Sequence, residues 1–153
     1  MEPWWTYKFL LVSVLVFNVI AYIIPKRISE YEMYSTSIFA LVLQGFADYT
    51  FDLKRDLYGY FNVGPDFESF IPIIGLYPAF NIIFLNYYPY TQPFFKKCLY
   101  NFVWTLFSIA FEWASIQSGY FYHHDWKLWY SALCYPPIFF ILAWNLGFLR
   151  RLK

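Results

Sequence analysis

Charge is scarce in this chain. Asp, Glu, Lys and Arg make up 14% of its 153 residues, where a soluble domain carries about 25%. The formal net charge is +1, so no basic field points to a nucleic-acid partner. Cysteine is limited to Cys98 and Cys134. Each falls near the start of a different apolar run, at opposite membrane faces in the topology below. A disulfide needs Cα atoms within about 7 Å, so none is expected between them. No CxxC or Cys/His zinc spacing occurs. The phosphate-binding GxxxxGK[ST] loop, GxGxxG, GxSxG and HExxH are all missing. So are paired aspartate-rich motifs of the prenyltransferase kind and a CDP-alcohol transferase signature. No cofactor is expected, and no side chain stands out as a nucleophile.

Apolar and aromatic residues fill the space that charge leaves. Hydrophobic residues reach 60% and aromatics 27%, with a mean hydropathy of +0.40. Five apolar runs cover about residues 6–24, 33–51, 66–88, 97–117 and 129–149. Each is long enough for a bilayer core of about 30 Å, which requires roughly 20 helical residues. Pro25, Pro65, Pro89, Pro93 and Gly119 punctuate the gaps. Asp66 followed by Ser69 predicts a cap for the third helix. The residues before the first run carry Glu2 and two Trp rather than a basic stretch, and no A-x-A-like site follows it. That run reads as a retained helix, not a signal peptide. The expected fold is an all-α bundle of five transmembrane helices, one integral membrane domain over 1–153.

Lys26, Arg27, Lys96, Lys97, Arg150, Arg151 and Lys153 gather on one side of this topology. Lys8, Lys54, Arg55 and Lys127 fall on the other. The excess places the C-terminus in the cytoplasm and the N-terminus outside. Aromatics cluster at the ends of the runs: Trp4, Trp5 and Tyr7; Tyr31 and Tyr34; Tyr87, Tyr88 and Tyr90; Tyr120, Tyr122, Trp126, Trp129 and Tyr130. Such rings form interfacial belts at headgroup level.

The fourth run carries a polar stripe. Asn101, Thr105, Ser108, Glu112, Ser115 and Gly119 follow at steps of three and four, one face of a helix. The other faces carry large apolar side chains. A carboxylic acid in lipid is costly, so Glu112 is expected to face other protein or a water-filled cavity. The second run ends in Gln44, Asp48, Asp52 and Asp56, four apart and on one face if the helix continues. Leu53, Leu57 and Phe61 would then form a neighbouring stripe. A solvated extension, with Asp52 and Asp56 paired to Lys54 and Arg55, is the simpler alternative for the outer two acids. Asp48 and Glu112 fall at similar depth in the outer half of the bilayer. They meet only if the second and fourth helices are neighbours. No Lys or Arg lies inside a run away from its ends, so either a raised pKa or a bound cation would neutralise these acids. The missing intramembrane lysine also argues against a Schiff-base pigment.

The loop Tyr122-His123-His124-Asp125-Trp126 sits above this region. His123, His124 and Asp125 beside two carboxylates are weak candidates for a metal site. Adjacent His side chains diverge, however, and a solvated loop is the simpler reading. Pro72 and Pro78, and Pro136 and Pro137, interrupt the third and fifth runs and free backbone carbonyls. Asn81, Tyr77, Ser131 and Tyr135 are placed to satisfy them.

Trp4-Trp5 with Lys8, Asp48, Asp52-Leu53-Lys54, Tyr58-Gly59-Tyr60-Phe61 with Gly64, Tyr77-Pro78 and Ile83-Phe84-Leu85-Asn86 recur together in one family. In these motifs the chain resembles small multi-pass membrane proteins of spore-forming Firmicutes, a family without an assigned activity. The resemblance implies a bacterial cytoplasmic membrane and supplies no catalytic residue. The functional expectation is therefore binding, or helping to move, a proton, cation or small amphiphile at an outer-half polar site. Glu112 and Asp48 would be acceptors there, with Asn101, Thr105, Ser108, Ser115, Gln44 and Asp52 around them. Membrane lipid, a second copy of the chain or a membrane protein is the expected partner. Two alternatives stand: an enzyme acting on a lipid or isoprenoid with Glu112 or Asp48 as general acid, and a structural protein whose polar stripe glues helices.

Overall fold

The structure, a computed structural model, describes residues 4–152. Lys153, one of the basic residues counted for orientation, lies outside them, as does Glu2. Five α-helices follow one another: α1 (Trp4–Ile23), α2 (Glu30–Ala47), α3 (Phe70–Asn86), α4 (Phe94–Ser118) and α5 (Leu128–Arg151). Two short strands, β1 (Tyr58–Tyr60) and β2 (Phe121–His123), pair antiparallel, with Gly59 opposite Tyr122. The all-helical expectation therefore holds, with one small two-stranded ribbon that the hydropathy pattern did not suggest.

Local chemistry sets the helix ends. The Ser29 hydroxyl accepts from the Glu32 amide, while the Glu32 carboxylate accepts from the Ser29 amide. This reciprocal cap contributes about 1 kcal/mol and starts α2 three residues before the apolar run. At the far end of α4, Gly119 takes φ +90, a left-handed cap open to glycine without strain. Asp66 does not cap α3. Its Oδ1 accepts from the amide and hydroxyl of Ser69 in the preceding turn, and α3 begins after Ser69 without a side-chain cap.

The helices close into a ring in the order α1, α3, α2, α5, α4 and back to α1, with α3 and α5 also touching across it. Helices α2 and α4 are not packed as neighbours. The question left open by the sequence is thus answered: Asp48 and Glu112 approach one space from different sides. Gly75 permits the α1–α3 crossing, because a Cβ there would stand 2.9 Å from Val14 Cγ2. Beside it, the Asn18 amide donates to the Gly75 carbonyl at 2.7 Å.

The distribution of polarity is inverted relative to a soluble protein. Glu32, Thr36, Asn81, Asn101, Thr105, Glu112, Ser115 and Ser131 are buried, while every helix presents large apolar side chains outward. Leu15 on α1, Val42 on α2, Ile74 on α3, Val103 on α4 and Leu133 on α5 are each about half exposed or more. Only α1 and α5, however, are both long and apolar enough to cross a membrane. The 17-residue α3 is apolar but shorter. Helices α2 and α4 fall below the mark because they carry the polar residues that fill the interior, together with Glu30, Lys96 and Lys97. Five equal apolar spans are therefore not what the structure contains.

Two aromatic clusters hold the ring. Toward the basic end, Phe84, Tyr88, Phe139, Leu142 and Leu146 pack together. There the Arg150 Nε donates to the buried Glu32 carboxylate at 3.0 Å. Toward the other end, Leu10, Tyr60, Phe61, Leu76 and Tyr120 form the second cluster. The expected aromatic belts are thus partial. Trp4, Trp5, Tyr31, Tyr34 and Trp129 are exposed, but Tyr88 and Tyr120 are taken into the core. Cys98 and Cys134 are both free.

Candidate functional site

The ring encloses a cavity of about 600 Å³. Its floor is the Phe84–Phe139 pair, with ring centroids 4.8 Å apart. Its walls are mainly aromatic and aliphatic, from α2, α3, α4 and α5, and no residue of α1 lines it. The β1–β2 ribbon forms the roof through Tyr58, Tyr60 and Phe121. Two polar clusters, each built on a buried carboxylate, lie beneath that roof.

The first cluster depends on how α2 ends. The helix does not run on through Asp56. After Ala47 it widens into a π-helical turn, Asp48–Leu53, a form frequent at functional sites. The chain then leaves at Asp56, which takes φ +50, and enters β1. The predicted Leu53–Leu57–Phe61 helical stripe therefore does not exist; Phe61 sits past the strand at φ +49. Such a conformation is strained for a bulky residue. It is held here by a stack on Tyr7 at 5.2 Å and by its amide donating to the Tyr120 carbonyl at 2.8 Å.

Asp48 is buried by this arrangement. Its Oδ1 accepts from Gln44 Nε2 at 2.7 Å and from the Tyr58 hydroxyl at 3.1 Å. Gln44 also donates to the Tyr60 hydroxyl, which lies 2.8 Å from the Tyr77 hydroxyl. Asp48 Oδ2 is buried without a protein partner. Gln44, Tyr58, Tyr60 and Tyr77 reach the cavity wall; Asp48 stands behind them. Asp52 is buried as well. Among the described residues no ion pair links Asp52 or Asp56 to Lys54 or Arg55, so the solvated-pair alternative fails. Asp52 lies just past the apolar run, and burial, then Asp56 and Asp66, raise its pKa to about 6. Burial pushes the Tyr58 phenol well above its ordinary range, with the Asp48 charge adding to it.

The second cluster centres on Glu112. Its Oε1 accepts from the Ser131 hydroxyl at 2.7 Å and lies 2.8 Å from His123 Nε2. Its Oε2 accepts from the Tyr135 hydroxyl. Trp126 Nε1 in turn donates to Ser131 Oγ at 2.7 Å. One carboxylate thus gathers α4, β2, α5 and the β2–α5 loop. No Lys or Arg reaches Glu112 among the described residues; the ribbon instead folds the His123 imidazole down onto it. The hydrogen bonds do not describe a nucleophile relay: Ser131 donates to the carboxylate rather than to His123.

The predicted stripe on α4 is found from Asn101 to Ser115, but Gly119 falls beyond the helix as its exposed C-cap. Asn101, Thr105, Glu112 and Ser115 are buried. Ser108, Glu112 and Ser115 line the cavity, whereas Asn101 and Thr105 lie below it. Thr105 donates to the Asn101 carbonyl, and both polar atoms of the Asn101 side chain are buried without partners. Ser115 Oγ lies 2.7 Å from the Tyr120 hydroxyl.

His123, His124 and Asp125 do not converge. His123 turns inward to Glu112, while His124 Nδ1 lies 3.1 Å from Asp56 Oδ2 at the surface. His123 ends β2 and His124 begins the loop after it, so the two side chains leave in different directions. Asp125 is exposed. Among the described residues no three His, Cys, Asp or Glu side chains form a metal-binding group.

Tyr58 and Tyr60 joined the site unannounced. Their alternation about Gly59 is the only local signal, and it is too short to identify a strand. Ser131 and Tyr135, expected to satisfy carbonyls freed by proline, bind Glu112 instead.

Comparison with protein-family models, with curated proteins and with solved structures returns no match for this chain.

Proposed function

We propose that the chain is a five-span integral membrane protein that binds a small amphiphile in this cavity. Its head would lie between the Asp48–Gln44 and Glu112–His123 clusters, and its hydrocarbon part along the aromatic walls. The observation that carries the reading is the cavity's composition: apolar walls of about 600 Å³ ending in two buried carboxylate clusters. Pockets of this size suit small organic ligands. Among the described residues neither Lys nor Arg lines it and Glu112 does, so an anionic head would meet a carboxylate with no Lys or Arg to offset it. A neutral hydroxyl-bearing or a cationic head fits the donors and acceptors present.

The five-span arrangement draws on the apolar belt around all five helices. A soluble protein rarely exposes that much apolar surface, and polar side chains inside a membrane bundle face its interior. The excess of basic residues at the Lys26, Lys96 and Arg150 end supports reading that end as cytoplasmic and the ribbon as outside. The resemblance to the family from spore-forming bacteria is in keeping with a bacterial cytoplasmic membrane.

Native mass spectrometry of detergent-purified protein, wild type beside Glu112→Gln, tests this. The expected result is an amphiphile retained by the wild type and reduced in the variant. A wild type that carries none, and whose melting temperature no neutral or cationic amphiphile raises, would sink the reading. A lipid profile altered on deletion in cells would instead favour lipid chemistry at the same site.

A further inference from the structure

We infer that the cavity is entered sideways from the bilayer, through a gap between α2 and α5, by the hydrocarbon chain of a single-chain amphiphile with a neutral or cationic head. This rests on the five-span reading above.

Four residues that line the cavity are also exposed on the outer surface: Phe46 at 70%, Ile141 at 39%, Phe107 at 37%, and Pro137. The wall at Phe107 is sealed. Its ring packs on Trp104 at 5.4 Å and on Phe17 and Phe80 at 5.9 Å. Phe46 has no such support; among the described residues it meets no other ring. It stands on α2, and Ile141 and Pro137 line the same cavity from α5.

These two helices are joined at the other end. The Glu32–Arg150 pair and the cluster of Ala40, Leu142, Ala143 and Leu146 tie them toward the basic face. Past Ala40 and Leu142, Phe46, Ala47 and Thr50 on one side and Cys134, Ile138 and Ile141 on the other border the cavity. That rim is apolar apart from Thr50, and it faces hydrocarbon in a five-span bundle. Water is kept out at the roof. Phe121 covers Tyr58 and Tyr60 with ring centroids 5.6 and 5.2 Å away. Trp126 packs on Phe51 at 5.4 Å. A chain entering through the rim would carry its head to Gln44 and Glu112, both on the cavity wall.

Cys134 lies on that rim and reports on the route. Protein carrying Cys98→Ser, reconstituted in phosphatidylcholine vesicles, is treated with N-dodecylmaleimide or with a membrane-impermeant sulfonated maleimide. The dodecyl reagent is expected to modify Cys134, and the sulfonated one to leave it intact. Closing the rim with Phe46→Trp and Ile141→Trp together should slow dodecyl labelling about tenfold, equivalent to a barrier higher by about 1.4 kcal/mol. Leu15→Trp, on the exposed face of α1 away from the cavity, should leave the rate unchanged. Equal labelling by the sulfonated reagent would overturn the inference, and so would a Cys134 that the dodecyl reagent never reaches. Both outcomes are read without the tryptophan variants, so misfolding of those variants cannot rescue the idea. Labelling by the dodecyl reagent alone, in a protein that retains no amphiphile, keeps the entrance and removes the proposed ligand. Retained amphiphile with sulfonated labelling does the reverse.

Discussion

Ser131→Ala is the sharpest test of the Glu112 cluster. The Ser131 hydroxyl accepts from Trp126 Nε1 and donates to Glu112 Oε1, both at 2.7 Å. Its removal takes one donor from a buried carboxylate, worth about 1.5–3 kcal/mol for a hydrogen bond to a charged group. It also strips the acceptor from the Trp126 N–H, at the low end of about 1–3 kcal/mol because that ring is partly exposed. The sum is about 2–4 kcal/mol. At about 2–4 °C per kcal/mol for a chain of this length, the melting temperature should fall by roughly 5–15 °C. Thermal unfolding followed by circular dichroism in detergent reads this directly. Ser118→Ala is the control. Its hydroxyl donates only to the Ser115 carbonyl within the same helix, so its effect should stay within about 0.5 kcal/mol. Ser131→Cys, with a weak donor, should fall between the two. A Ser131→Ala protein that melts with Ser118→Ala would refute the claim that this hydroxyl ties α5 and the ribbon to Glu112.

Asp48→Asn should change stability by no more than about 1 kcal/mol, because Oδ1 keeps both donors and only the partnerless Oδ2 is replaced. Asp48→Leu should melt well below it in the same scan, since the Gln44 amide and Tyr58 hydroxyl lose their acceptor. Gly75→Ala drives a methyl against Val14 and should cost about 1–3 kcal/mol, with Val14→Ala restoring much of the loss in the double variant. The raised pKa of Asp52 gives a pH signature. The folded state holds that proton more tightly than the unfolded chain, so the contribution is full below the ordinary value of 3.8 and is lost as pH rises through about 6. The melting temperature should therefore drop between about pH 4 and pH 6 and level off above that, and Asp52→Asn should flatten that part of the profile. An unchanged slope in the variant would assign the titration elsewhere.

Much of the site was legible in the chain because helical geometry is local. The step of three and four from Asn101 to Ser115 needs no partner to define a face, and that face is buried. Gln44 and Asp48 followed from the same rule. The rule broke at Asp52, where the π-helical turn and the left-handed Asp56 end the helix. No period in the sequence marks a turn widened by one residue. By sequence His123 falls in a loop, because a three-residue strand leaves no measurable alternation. Its partner, Glu112, lies only 11 positions away, but across a reversal of the chain.

The sequence by itself determined five helices, their breaks, the inward polar stripe and the absence of a metal or nucleophile motif. Composition and periodicity act within a few residues, and they suffice for that. The tertiary structure alone decided that α3 and α5 stand between α2 and α4, and that Glu112 and the Gln44–Tyr58 partners of Asp48 therefore border one cavity. It alone brought Ser131, Tyr135 and His123 to Glu112. Those outcomes depend on which helix faces pack together, a choice made by side-chain volume at crossings such as Gly75 on Val14, between residues far apart along the chain.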